Sequence, residues 1–387
     1  MHRVDSGVHG DVAMHSGLTR ALVGLALLPL LVSACDAEEP DLPEGSAARH
    51  VEVFEPEDVP TGSSGSVVAV ADGQIVTCEG WGQADHETGA AAGCGTVYDI
   101  GSVTKQFTAA AVVKLQMQGL LQMTDPIDRF FDGVPKDKRE ITVRHLLTHT
   151  AGLVDVLGDD YEPLTRQAMI SGALASELTS RPGTRYHYSN LGYSLLAAIV
   201  EKTSGLGYEQ YLAQELFTPA GMTQTGYVLP DWDPGDVAVE YDAQDRPHGR
   251  PNDHPWAADG PYWNLRGNGG VLSTASDMGR WLLALGTDRV LDERARKELF
   301  RPRVLEEPGG DTRYAYGWVI ADTPLGEVDW HNGGNGWAYA ELGRLPESGT
   351  GLFWGTNHYR SAAGGWNLDK LRPSLTERVA DRLVNAE

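Results

Sequence analysis

The first apolar pattern suited to a folded core is a short alternating one. Ser66–Ala71 carries three valines, Asp72-Gly73 is a strong turn pair, and Gln74–Cys78 resumes a β-prone run, so the pattern predicts a hairpin. Thr96–Ile100 is another short β-prone stretch. After Gly101 the period changes. Ala109, Ala110, Val112, Val113 and Leu115 make Ser102–Gln118 a largely apolar helix, with Gly119 as its stop. A helix apolar on nearly every side belongs in an interior. Its polar Ser and Lys sit at the N-terminus, which should therefore open onto a cleft. From 121 to about 265, helical segments alternate with loops rich in Pro, Gly and Asp. Ser189 caps a helix that runs to about Thr203 and stops at Gly205, whereas 230–262 reads as long irregular connection. The end of the chain returns to β, in the runs Tyr314–Ile320, Glu327–His331, Trp337–Leu345 and Gly351–Trp354. Leu368–Leu383 reads as a closing amphipathic helix. Strands at both ends with helices between predict an α/β (α+β) fold over 56–387. Its antiparallel sheet is built from N- and C-terminal segments (about 56–120 and 268–387) and flanked by helices, with a mostly helical insertion at about 121–267.

The longest apolar run, Ala21–Val32, is twelve residues. A span needs about twenty, so this run has the length of a signal-peptide core, with Arg20 before it and Ser33 and Ala34 behind. Val32-Ser33-Ala34-Cys35 resembles the lipobox of bacterial lipoproteins. That resemblance implies that 1–34 is a lipoprotein signal peptide and that Cys35 carries the lipid holding the chain to a membrane. Residues 35–55 are acidic and rich in Pro, Gly and Ala, and read as a flexible stem. Overall, 31 Lys and Arg face 54 Asp and Glu, a net charge of −23. Such a surface repels phosphate backbones, which excludes nucleic acid as a partner class. Two further cysteines, Cys78 and Cys94, allow one disulfide if the compartment is oxidising, the alternative being two buried thiols.

Three clusters carry candidate chemistry. Ser102 and Lys105 are three residues apart, hence on one helical face, where a desolvated lysine can take the serine's proton. Tyr188-Ser189-Asn190 offers a phenol able to relay a proton and an amide able to fix a substrate group, although Tyr262-Trp263-Asn264 repeats the spacing. His331-Asn332-Gly333-Gly334 ends a β-run in a glycine turn, where a free N–H can complete an oxyanion hole. His145 and His149 have the spacing of two zinc ligands, but no third ligand is evident. No Gly-rich run precedes Lys-Ser or Lys-Thr. Neither a metal nor an organic cofactor is called for.

These clusters, in this order, resemble the penicillin-recognising serine hydrolases: class C β-lactamases, D,D-carboxypeptidases, D-aminopeptidases and related esterases. Tyr98-Asp99-Ile100-Gly101 before the serine, His145 to Leu153, Pro182-Gly183 through Tyr193, and Gly269 to Asp277 are similar to family segments as well. The resemblance covers about 60–380. It implies Ser102 as nucleophile, Lys105 as its activating partner and Tyr188 as proton relay. It further implies an oxyanion hole from the N–H groups of Ser102 and Gly334, with Asn190, His331 and Gly333 at the substrate. The expected activity is extracytoplasmic hydrolysis of amides or esters through an acyl-enzyme. Its substrates would be D-amino-acid peptides, small esters and β-lactams; the alternative is a wall-fragment or β-lactam sensor with little turnover. The chain departs from the family pattern at the third motif. His331, with an ordinary pKa of about 6.5, would be only partly charged where many members place a fixed cation.

Overall fold

The computed structural model describes residues 51–385. The expectations for the leader, for Cys35 and for most of the stem lie outside these residues. The stem ends sooner than 55, because Val53 and Phe54 are buried among Leu375, Val379 and Leu383 and so belong to the packed domain.

The predicted hairpin is present as β1 (Ser64–Ala71) and β2 (Gln74–Trp81), joined through Asp72 and Gly73, both with positive φ. A short strand, β3 (Val97–Asp99), pairs with β4 (Leu272–Thr274) and leads into the first helix. The C-terminal part supplies β5 (Val304–Leu305), β6 (Thr312–Tyr314), β7 (Val319–Thr323), β8 (Gly326–Gly334), β9 (Tyr339–Leu345) and β10 (Thr350–His358). Together with the hairpin they form one eight-stranded sheet in the order β2-β1-β10-β9-β8-β7-β6-β5, every described pairing antiparallel. The two chain ends meet where β1 pairs with β10, Val67 opposite Trp354. Every residue of β10 is buried, as expected of a central strand covered on both faces.

Helices α1 (Thr104–Met117), α2 (Asn190–Ser204), α3 (Ala275–Leu285) and α4 (Glu293–Phe300) share one apolar cluster, and of these α3 packs directly on one face of the sheet, against β1, β2 and β10. The other face is covered by α5 (Leu375–Asn385), whose Leu375, Val379 and Leu383 recur at helical spacing. Ser189 caps α2 by accepting from the Gly192 N–H, and Gly205 ends it in the left-handed region. The insertion contains the helices Val143–Leu147 and Arg166–Ala175 and a two-stranded ribbon, Glu240–Tyr241 with Pro247–Gly249.

Two expectations need correction, and two helices are added. The run Tyr314–Ile320 is two strands, β6 and β7, separated by a turn at Gly317, where α1 comes so close that an added Cβ would lie 2.8 Å from the Lys105 carbonyl oxygen. The last helix begins at Leu375 rather than Leu368, because Pro373 cannot donate within a helix and interrupts the run. Helices α3 and α4 lie in a stretch to which the sequence pattern assigns no element. Their signals were present: the Thr274 cap accepting from the Asp277 N–H and the Asp292 cap accepting from Ala295.

Cys78 and Cys94 form a disulfide across 16 residues, tying β2 to the segment entering β3. Closing a loop of that size stabilises by about 3 kcal/mol in the chain-entropy description. Thiol titration of the unfolded, unreduced domain is expected to find no free thiol from this pair. Finding two would refute the bridge, and Cys78→Ser with Cys94→Ser should lower the melting temperature.

Candidate active site

The chain turns sharply before Ser102. Gly101 adopts φ +51°, a left-handed conformation that favours glycine, and its N–H donates to Asp99 Oδ1 at 2.7 Å. Gly101–Val103 form a single 3₁₀ turn and α1 follows at once, which leaves Ser102 at the mouth of the helix and Lys105 fully buried one turn in.

Lys105 Nζ has three neighbours at hydrogen-bond distance: Ser102 Oγ at 2.9 Å, Asn190 Oδ1 at 2.7 Å and the Asn268 carbonyl at 2.7 Å. Two are obligate acceptors and the third is a hydroxyl. That set suits a neutral amine, whose two hydrogens go to the acceptors while its lone pair receives the serine proton. Burial pushes the Lys105 pKa down to about 7, and the carboxylates of Asp155 and Asp160 oppose the shift only in part.

Tyr188 closes the other side of the serine. It lines the same cleft as Ser102, and its ring centre lies 4.8 Å from Lys105 Nζ. Burial raises the phenol above its ordinary range, with the charges of Asp155 and Glu306 adding to the rise, so it is neutral and able to donate. Sequence reasoning missed the group that orients it. His149, buried and at φ +54°, stacks on the Tyr188 ring with centroids 4.3 Å apart. Its Nδ1 accepts from the Ser189 N–H at 3.0 Å. The sequence signal is the His145–Leu153 segment, which resembles a family segment but gives His149 no role of its own.

Asn190 is held at both ends. Its carbonyl faces Lys105, and its backbone N–H and Nδ2 both donate to Asp155 Oδ1, at 3.0 and 3.1 Å. One Nδ2 hydrogen is left for a substrate.

The glycine turn at the end of β8 lies against the serine turn. A Cβ on Gly333 would fall 2.2 Å from the Ser102 nitrogen, and one on Gly101 would fall 2.3 Å from the Gly334 nitrogen. Only glycine at both positions permits this approach, which sets the Ser102 backbone nitrogen against Gly333 and the Gly334 nitrogen against Gly101. His331 departs from expectation. Its Nδ1–H donates to the Asn332 carbonyl at 2.6 Å and its Nε2 accepts from the Tyr314 hydroxyl at 3.0 Å. Burial and the nearby Lys105 push its pKa down to about 3, so it is neutral rather than partly charged. Ser102, Tyr188, His331 and Gly334 line one cleft of about 500 Å³. A larger cavity of about 780 Å³ lies between β7–β9 and α5, and Ser102 does not line it. Tyr262 does not line the cleft, and Asn264 Nδ2 is spent on the Asp159 and Glu162 carbonyls, so Tyr188 is the tyrosine the fold brings to the serine.

The family profile described as Beta-lactamase matches residues 59–368. The chain belongs to the Beta-lactamase family. A penicillin-binding protein of Bacillus subtilis (strain 168) is 29% identical over 286 residues, covering 70% of this chain and 63% of the relative. The chain thus spans less than two thirds of that relative's length. Among solved structures, the octameric penicillin-binding protein homologue from Pyrococcus abyssi superposes with a TM-score of 0.67 at 28% identity, covering 76% of this chain and 70% of the other. The D-amino acid amidase of Ochrobactrum anthropi SV3 superposes with a TM-score of 0.69 at 23% identity, over 84% of this chain and 94% of the other, which establishes the shared fold. Within the Beta-lactamase family, the matched region contains all three clusters and the antiparallel sheet that carries the third.

Proposed function

We propose that the protein cleaves amide or ester bonds by forming an acyl-enzyme on Ser102. The observation that supports this best is the fully buried Lys105 amine, 2.9 Å from Ser102 Oγ and lowered to about 7. In this reading the serine proton passes to Lys105 as Oγ attacks the carbonyl carbon. The oxyanion is held by the N–H groups of Ser102 and Gly334. The bond to the leaving amine or alcohol breaks as Tyr188 delivers a proton to it, replenished from Lys105. Water then cleaves the ester, releasing the acid and restoring the hydroxyl. Lys105 is the base in this scheme and Tyr188 the relay, because burial favours the neutral form of both groups.

The substrates that fit are D-amino-acid peptides and small esters or amides. β-Lactams fit less well, because the neutral His331 provides no cation for a carboxylate. An extracytoplasmic position, held to a membrane by lipid on Cys35, completes the reading. It rests on the leader sequence. Among the described residues, no helix is long and apolar enough to cross a membrane.

The test is treatment with a fluorophosphonate and with a fluorescent penicillin, followed by peptide mass mapping. A covalent adduct on Ser102 is expected from the fluorophosphonate. A protein that stays unmodified by both reagents across neutral pH would sink the proposal.

A further inference from the structure

Behind the paired glycine turns lies a buried cluster that the proposed chemistry does not use. Asp99, Glu240 and Asn335 come from three distant parts of the chain: β3, the ribbon within the irregular 230–262 segment, and the turn after β8. Asp99 and Glu240 are almost completely buried. One Asn335 side-chain nitrogen donates to both, to Asp99 Oδ2 at 3.0 Å and to Glu240 Oε1 at 2.7 Å. The Asn335 carbonyl oxygen accepts from the backbone N–H groups of Trp337 and Ala338, at 3.0 and 2.8 Å. Asp99 uses its other oxygen for the Gly101 N–H.

The topology of these bonds is informative. Gly101 immediately precedes Ser102, and Asn335 immediately follows Gly334. The two residues flanking the oxyanion donors are therefore tied to a single carboxylate. Oxyanion donors act through preorganisation, and a constellation of this kind loses its effect when its parts drift by about 0.5 Å. We propose that Asn335, held between Asp99 and Glu240, is the positioning residue that sets the distance between the Ser102 and Gly334 N–H groups, and that the 230–262 segment delivers Glu240 to hold it there. The inference rests on the serine-hydrolase reading above.

The surroundings make the clamp sensitive to protons. Asp160 and Tyr161 face the pair from the loop before the helix Arg166–Ala175, and His254 Nε2–H donates to Glu240 Oε2 at 3.1 Å. Tyr161 and Trp337 stack on His254, with centroids 4.4 and 5.4 Å away. Two carboxylates that share one amide away from water cannot both ionise cheaply. Burial, with Glu240 adding to it, holds the Asp99 carboxyl up to about 7. Below that pH the pair keeps a proton and the clamp closes. Above it the two charges repel and the donors loosen, which produces an alkaline fall in rate.

The experiment measures the second-order rate of fluorophosphonate labelling of the whole domain between about pH 5.5 and 9.5, with the melting temperature followed in parallel. Asn335→Ala is expected to slow labelling at least about tenfold while leaving the Lys105-dependent acid limb in place. Glu240→Gln keeps the acceptor but cannot ionise, so no second charge arises to repel Asp99; it should retain the wild-type rate near pH 6 and lose the alkaline fall. Labelling of Asn335→Ala within about twofold of wild type, or an alkaline limb retained in Glu240→Gln, would overturn the proposal. Should Asn335→Ala fail to fold, Glu240→Gln decides alone. A wild type that does not label refutes the serine-hydrolase reading instead, so the two failures are distinguishable.

Discussion

Lys105→Met slows acylation of Ser102 by on the order of 10²–10⁴-fold, and the rise of rate with pH through about 7 disappears with it. Methionine has about the reach of lysine and no titrating group, so the cavity stays filled while the base is lost. Ser102→Ala, which removes the nucleophile, is the blank for that comparison. The same substitution should leave a mark on stability. The folded Lys105 titrates near 7 and an unfolded lysine near 10.5. Between those values the unfolded chain binds the extra proton, so Lys105 makes stability rise with pH across that window and contributes no slope below it. Lys105→Met erases this contribution. It also leaves Asn190 Oδ1 and the Asn268 carbonyl without their donor, a cost of about 1–3 kcal/mol each that does not vary with pH. The slope is therefore the cleaner readout. A variant with the wild-type acid limb in its labelling profile would show that Lys105 is not the base.

Gly333→Ala is expected to reduce labelling by about 10²–10³-fold, the usual consequence of losing one oxyanion donor. The added carbon would sit 2.2 Å from the Ser102 nitrogen and 2.4 Å from the Ile100 carbonyl oxygen. Both obstacles are backbone, so no side chain can swing aside. Either β8 or the Gly101–Val103 turn must retreat, and the Ser102 and Gly334 N–H groups separate. Gly235→Ala is the control, because its Cβ would meet nothing within 4 Å. Circular dichroism separates a displaced site from an unfolded domain. Gly333→Ala labelling at the rate of Gly235→Ala would mean that the close approach of the two turns has no part in the reaction.

How much could be read beforehand differed from element to element. Local signals located the hairpin at Asp72-Gly73, the apolar helix after Ser102, and the Ser189 cap with its Gly205 stop. Each of these depends on neighbours within one turn of the chain. The same holds for the Ser102–Lys105 pair, whose contact is set by helical spacing. The break between β6 and β7 was not legible, because it exists only where α1 presses on Gly317 from a part of the chain about 200 residues earlier. The charge of His331 was not legible for a similar reason. Its type and place in the turn were plain, but its charge depends on burial and on Tyr314 and Lys105. Asp99 belongs to a segment that resembles the family, yet nothing in its neighbours announces Asn335 or Glu240.

Residue order alone therefore determined the secondary structure around the reactive serine, the spacing of hydroxyl and amine, and the glycines without which the two turns could not meet. These are properties of bond rotation and helical period, and they act over a few residues. Tertiary structure alone decided which groups lose water. Desolvation lowered Lys105, fixed His331 as neutral and raised Asp99, because that effect depends on what surrounds an atom in space.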